Sequence, residues 1–360
     1  MLYILMKTIS YSRGRNRKNL FSSDSTLLTN LHHHKPFLGK TLKIPFLFLF
    51  LLSGCSDHDS VPYDSSGRDT TDEVKASDDC TDIDLLVFND DELMHLDSYV
   101  RTEGFRGNSL DIRSQNGDKI VFACINSQWE RYDWADISSF PSLSGIYADL
   151  RKEKRRNPLM RGIMHIEAGA PAGISVSPIA SEVCLRSIRC DFSGKSYEGE
   201  TITDVLIYLT NVNVRCSLTE YEDIIPTHII NHGGLNESET DEFYDPGMIL
   251  QSTDDISYRL SVPDIRLHCY PNNSKAEGPG TPYTRLVVEG SIRGTRYWWP
   301  IVINRSKGQE GIGCNCRYIY DLTITGKGSD SPDKDIDMEN ISINMEVKPW
   351  EEKEEYQILF

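Results

Sequence analysis

Two β-prone runs, Thr284–Ile292 and Thr295–Ile303, are separated only by Arg293-Gly294. Glycine accepts the positive φ that a two-residue link demands, so the pair predicts a tight β-hairpin. Runs of the same kind recur at Ile83–Phe88, Leu93–Val100, Met160–Ile166, Val183–Phe192, Thr201–Val214, Ile256–Val262, Arg266–Tyr270, Arg317–Thr325 and Ile341–Val347. Within Val183–Phe192, Ile188, Cys190 and Phe192 alternate with Ser187, Arg189 and Asp191, the pattern of a half-buried strand. Asn116-Gly117 predicts a second hairpin, between Ser109–Arg113 and Ile120–Asn126. Only residues 138–154 carry helical spacing. There Ser138-Ser139 supplies a cap, Leu143, Ile146, Tyr147 and Leu150 form a stripe, and Arg151–Arg156 places cations at the C-terminal end. Short strands at intervals of about 8–12 residues predict a mostly β chain of two β-sandwiches. One short helix is expected in the first of them.

The small-residue and proline stretch Gly169–Gly173 is the natural break, giving domains over 83–168 and 169–360. Residues 219–251 are polar and irregular and read as an insertion.

Ahead of the folded part, Lys40 and Lys43 flank the start of an apolar run of nine residues, Ile44–Leu52, closed by Ser53-Gly54-Cys55. Nine helical residues span about 14 Å, too short for a ~30 Å bilayer core. The run therefore reads as an export signal over residues 1–54, with an N-terminus longer than such signals need. Leu52-Ser53-Gly54-Cys55 resembles the lipobox of bacterial lipoproteins, in which the cysteine thiol takes a diacylglycerol and becomes the mature N-terminus. Cys55 is the expected lipidation site, and 55–82, rich in Asp, Ser and Thr, is a disordered tether. Ser56-Asp57-His58-Asp59 is either plain linker or similar to the surface-export signals of Bacteroidetes lipoproteins.

Removing residues 1–54 takes away 8 of 38 Lys+Arg and 1 of 54 Asp+Glu; 30 against 53 remain, a net charge of −23. Such an acidic body argues against a nucleic-acid partner and leaves membrane anchoring to the acyl chains. Eight cysteines besides Cys55 are present, and in an exported chain one to three disulfides are expected. Gly-x-Ser-x-Gly, His-Glu-x-x-His and phosphate-loop motifs are absent. Cys314-Asn315-Cys316 with His268-Cys269 lacks zinc spacing. His228 and His232 stand four apart beside Gly233-Gly234, which spoils a helix. Asp241, Glu242, Asp245, Asp254 and Asp255 lack the EF-hand pattern. Trp298-Trp299 on a strand must place one ring outward, a candidate platform for a sugar. No catalytic residue, metal or cofactor is expected.

Several stretches together resemble one family. They are Leu85-Leu-Val-Phe88-Asn-Asp-Asp with the return to Ala123-Cys-Ile-Asn126, and Tyr297-Trp-Trp-Pro-Ile-Val-Ile303 followed by a loop and Cys316–Gly326. The closing Val347-Lys-Pro-Trp350 is the last. Their pattern is similar to the fimbrillin-type (type V) pilus subunits of Bacteroidetes, including their lipoprotein anchor and minor subunits. Cys316-Arg317-Tyr318 departs from the family's Arg-Asn-x-x-Tyr. The resemblance covers about residues 83–350. It implies two transthyretin-like sandwich domains in tandem, no enzyme activity, fimbrial subunits as partners, and a surface-exposed place on the outer membrane. It also implies assembly by strand exchange: a protease specific for Arg or Lys removes a lipidated N-terminal strand, and a neighbour's terminal strand fills the opened groove. Arg68 is the candidate cleavage point, yet Ser56–Gly67 has no apolar alternation, so a cut there discards no strand. That favours an anchor or minor subunit that keeps its lipid. Tyr356-Gln357-Ile358-Leu359-Phe360, with Tyr356, Ile358 and Phe360 on one face, is either a donor strand or the last strand of its own sheet.

Overall fold

A computed structural model describes residues 81–360, apart from 108, 128–131, 133, 169, 171, 221–222, 306–310, 351–353 and 360. The expectations on the export signal, Cys55, the tether, Arg68 and Phe360 lie outside the described residues. The described residues form one compact unit.

The architecture is mostly β. The first part supplies β1 (Thr81–Asn89), β2 (Leu96–Phe105), β3 (Ser109–Asp111), β4 (Lys119–Ile125), β5 (Tyr147–Asp149), β6 (Met160–Ile166) and β7 (Ala172–Pro178). The remainder supplies β8 (Ser181–Cys190), β9 (Thr203–Thr210), β10 (Val212–Asn213), β11 (Arg215–Ser217), β12 (Ile229–Ile230), β13 (Leu250–Ser252), β14 (Ile265–Cys269), β15 (Arg285–Ile292), β16 (Thr295–Val302), β17 (Cys316–Ile324), β18 (Ile341–Pro349) and β19 (Glu354–Leu359). Among the described residues the single α-helix, α1 (Glu237–Thr240), is one turn capped by Asn236.

Seven strands form one sheet in the order β2-β1-β4-β6-β7-β19-β3. Alternation along β1 gives both faces an apolar set. Ile83, Leu85 and Val87 join Val121, Ala123 and Ile125 of β4 in one core, while Leu86 and Phe88 face another. The first core also holds Leu110, Ile174, Val176 and Ile358, so the β7-β19-β3 end curls over the β1-β4 middle. The fold-over lies between β6 and β7, which share only Met160↔Pro178 and Arg161↔Ser177. Gly162 permits it, because a Cβ there would stand 2.4 Å from the Ser175 carbonyl oxygen.

The later strands build two four-stranded sheets, β13-β9-β15-β16 and β14-β8-β17-β18. Ile207, Leu209, Leu286, Val288 and Trp299 of one share a core with Leu185, Ile188, Tyr318, Tyr320 and Leu322 of the other, so the two pack as a sandwich. The same core runs on to Leu86, Phe88 and Phe122, joining the sandwich to the outer face of the first sheet. The hairpin across Arg293-Gly294 forms in full register, Ile292↔Thr295 to Arg285↔Val302, with φ of 53° and 75° at its two turn residues.

Three expectations are corrected. The Asn116-Gly117 hairpin does not form: β4 is already flanked by β1 and β6, and β3 pairs with β19 instead. The helix over 138–154 is replaced by a 3₁₀ turn (Phe140–Gly145), β5 and a second 3₁₀ turn (Leu150–Lys152). Pairing of Tyr147–Asp149 with Arg215–Ser217 overrides the local helical pattern. Disulfides do not form between the described cysteines: Cys184, Cys190, Cys216, Cys269, Cys314 and Cys316 are free thiols. Cys269 pairs with Ser181 across one edge of β8, and Cys316 donates its backbone N–H to the Ser181 hydroxyl from the other side. Two strand spacings, about 10 Å, separate those two positions, beyond the ~7 Å a bridge tolerates.

Candidate functional site

The last strand of the chain occupies the first sheet. Its backbone pairs antiparallel with β7, Glu354↔Val176 through Ile358↔Ala172. On its other edge it pairs parallel with β3, Gln357↔Ser109 through Leu359↔Asp111. Ile358 is 1% exposed and lies in the first core. Tyr356 pairs through its backbone with Ile174. Every other strand in that sheet comes from residues 81–178, so β19 fills a slot walled by β7 and β3. Sequence reasoning singled out the strand but missed its slot. The alternation of Leu110 and Ile112 was the available signal.

The chain enters β19 from a fixed point. Trp350 is buried, its backbone N–H donates to the Asn315 carbonyl at 3.0 Å, and its ring lies 4.9 Å from that of His268. Pro349 ends β18, and Trp350 is the last described residue before β19. Burial holds the His268 imidazole down at about 3, with Arg155, Arg266 and Arg317 adding to the effect. Its Nδ1 has no hydrogen-bond partner and its Nε2 lies 3.9 Å from the buried Glu182 carboxylate.

The other residues marked in the sequence are dispersed. Trp299 is fully buried, with its Nε1 donating to the Gly326 carbonyl at 3.1 Å, so it offers no surface to a sugar. Trp298 is the outward ring. It is half-buried and its Nε1 donates to Glu289 Oε2 at 2.9 Å, beside the Tyr208 hydroxyl on the same oxygen at 2.8 Å. Arg151 is tied to Asp149 and Glu242, and Arg155 to Asp245, so Glu242 and Asp245 serve as partners for that basic turn. Arg161 is buried, with Nη1 donating to the Ser217 carbonyl at 2.5 Å. His228 is exposed, whereas His232 lines a cavity with residues from three distant loops. Burial pushes the Cys190 thiol up to about 11 and those of Cys216 and Cys269 up to about 12, which keeps them protonated and unreactive. Among the described residues no group of three His, Cys, Asp or Glu side chains is placed to hold a metal, and no helix is long and apolar enough to cross a membrane.

No protein-family model matches the chain, and no curated protein sequence matches it. Solved structures do. A proposed cell adhesion protein from Bacteroides eggerthii superposes with a TM-score of 0.57 at 12% identity, over 78% of this chain and 90% of its own. A second, from Parabacteroides distasonis, gives 0.54 at 14% identity, over 75% and 88%. A fimbrilin from Porphyromonas gingivalis gives 0.51 at 12% identity, over 75% and 91%. The chain thus has the fimbrillin-type fold that these Bacteroidetes adhesion and fimbrilin structures share.

Proposed function

We propose that this protein is a structural subunit of cell-surface fimbriae, an anchor or minor subunit that joins other fimbrial subunits by strand exchange. The observation that carries the reading is the position of β19, the final strand, inside a sheet built otherwise from residues 81–178. A terminal strand held by main-chain hydrogen bonds, with the Ile358 side chain buried, is an element that another strand can replace. Withdrawing it bares the edges of β7 and β3 and part of an apolar core, which a strand from another chain satisfies equally well. The two alternatives that the sequence leaves open for Tyr356–Phe360 are then two states of one strand. At home it closes its own sheet; in an assembly it, or its counterpart from a neighbour, closes another. The adhesion and fimbrilin folds of the structural neighbours support this reading, as does the leader before Cys55 for a lipid-held place on the outer membrane. On this account the tandem sandwiches are the transthyretin-like domains of the family, and Arg68 is dispensable, since Ser56–Gly67 carries no apolar alternation.

The test is deletion of residues 354–360 together with Cys55→Ala in separate strains. Loss of co-purifying fimbrial subunits in the first, and release from the outer-membrane fraction in the second, are expected. Undiminished assembly by the truncated chain refutes strand exchange, and retention of the Cys55→Ala protein in the membrane refutes the lipid anchor.

A further inference from the structure

We propose that loops at one end of the later sandwich form a binding site for a neutral sugar ring, separate from the β19 slot and independent of the strand-exchange reading. A cavity of about 530 Å³ opens between Asn211, the turn His232-Gly233, the loop Glu277–Pro282 and the loop bearing Asp333 and Asp335. Its size falls within the ~300–1,000 Å³ of small-molecule sites. Loops on a rigid scaffold are where binding residues concentrate.

Arg285 also lines the cavity and is 5% exposed. Its Nη1 stands 2.6 Å from Glu277 Oε1 and its Nη2 3.2 Å from Asp335 Oδ1, so one guanidinium ties two walls together. Its Nε has no hydrogen-bond partner. A buried cation with an unmet donor costs the fold stability, and such costs gather at functional sites. The opposite wall is equally built. Asn211 is buried in a left-handed conformation, and its Oδ1 accepts from the Gly233 N–H at 3.0 Å.

The lining selects the ligand by chemistry. Arg285 is held by Glu277 and Asp335, so the His232 ring supplies a donor while Glu277, Asp333 and Asp335 supply acceptors. Hydroxyl groups donate and accept, so a polyol satisfies both kinds at once. Three carboxylates against one guanidinium repel an anion, so hydroxyl groups suit the lining where acidic groups do not. Pro279 and Pro282 add apolar C–H surface for the face of a sugar ring.

Saturation-transfer difference NMR on the full mature chain tests this. The probes are the methyl pyranosides of glucose, galactose and mannose, with glucosamine and glucuronate as charged counterparts. At least one neutral pyranoside is expected to give a signal. Asp333→Ala and His232→Ala, both at exposed positions, should each weaken its affinity at least tenfold with the thermal unfolding curve unchanged, and Trp298→Ala should leave it intact. The proposal is overturned if no neutral pyranoside binds, if only a charged probe binds, if both cavity variants bind as the parent does, or if Trp298→Ala alone abolishes the signal. None of these results bears on assembly through β19.

Discussion

Ile358, near the end of the chain, pairs in parallel with Leu110, near the start of the folded part, and both are buried, at 1% and 7% exposure. The last strand and the early strand β3 are thereby stitched into one sheet. Ile358→Ala should destabilise the protein by about 2–5 kcal/mol, the range for buried Ile truncated to Ala. Urea unfolding checks it: the midpoint should fall with the slope unchanged.

Gly162 faces the Ser175 carbonyl where β7 folds over β6. Its Cβ would stand 2.4 Å from that oxygen, closer than any backbone tolerates without moving. Gly162→Ala should cost about 1–3 kcal/mol, as overpacking does, and should raise the amide exchange rate of Ile174 and Val176 more than that of β15. Equal protection in both places would show that the crossing relaxes without harm.

Lys119 and Asp97 form a buried ion pair at 3.0 Å, with side chains 3% and 2% exposed, and Lys119 Nζ also donates to Asn89 Oδ1 at 2.6 Å. Removing one partner strands a buried charge, so Asp97→Ala should cost about 3–5 kcal/mol. Lys119→Met with Asp97→Leu should cost far less, because no charge is left unpaired. Chemical denaturation of the single and double variants separates the two outcomes.

His268 links acid stability to the root of β19. Its folded pKa of about 3 lies below the value near 6.5 of an unfolded chain, so in acid the unfolded state binds the extra proton. Its contribution is complete above about 6.5 and is lost as pH falls toward 3. Glu182, Arg155, Arg266 and Arg317 are the charged groups around it. Comparing the unfolding free energies of the parent and His268→Gln at pH 7 and pH 4 should show a smaller acid loss in the variant. Identical losses would remove His268 from the acid limb.

Local signals were legible in the sequence where the structure is local. The hairpin at Arg293-Gly294 and the strand Met160–Ile166 follow from turn chemistry and β-prone runs alone. Non-local pairing was not legible. Asn116-Gly117 has the chemistry of a hairpin, but β1 and β6 take both edges of β4, and that competition is invisible in a short window. The stripe over 138–154 fails for the same reason, since β11 pairs with Tyr147–Asp149 from far along the chain. The β19 strand showed itself through its apolar alternation, while its slot depended on β3 and β7 meeting it from different parts of the chain. The cavity around Arg285 was hidden because its walls come from four separated segments, of which the sequence marked only His232.

The central claim is that β19 is an exchangeable strand held in a slot between β7 and β3. The direct measurement is thermal unfolding of a chain ending at Lys353, with and without a synthetic peptide of Glu354–Phe360. The account predicts that truncation lowers the Tm and that the peptide, binding in trans at one per chain, restores it in a concentration-dependent way. A truncated chain that unfolds at the parent's temperature and ignores the peptide would contradict it.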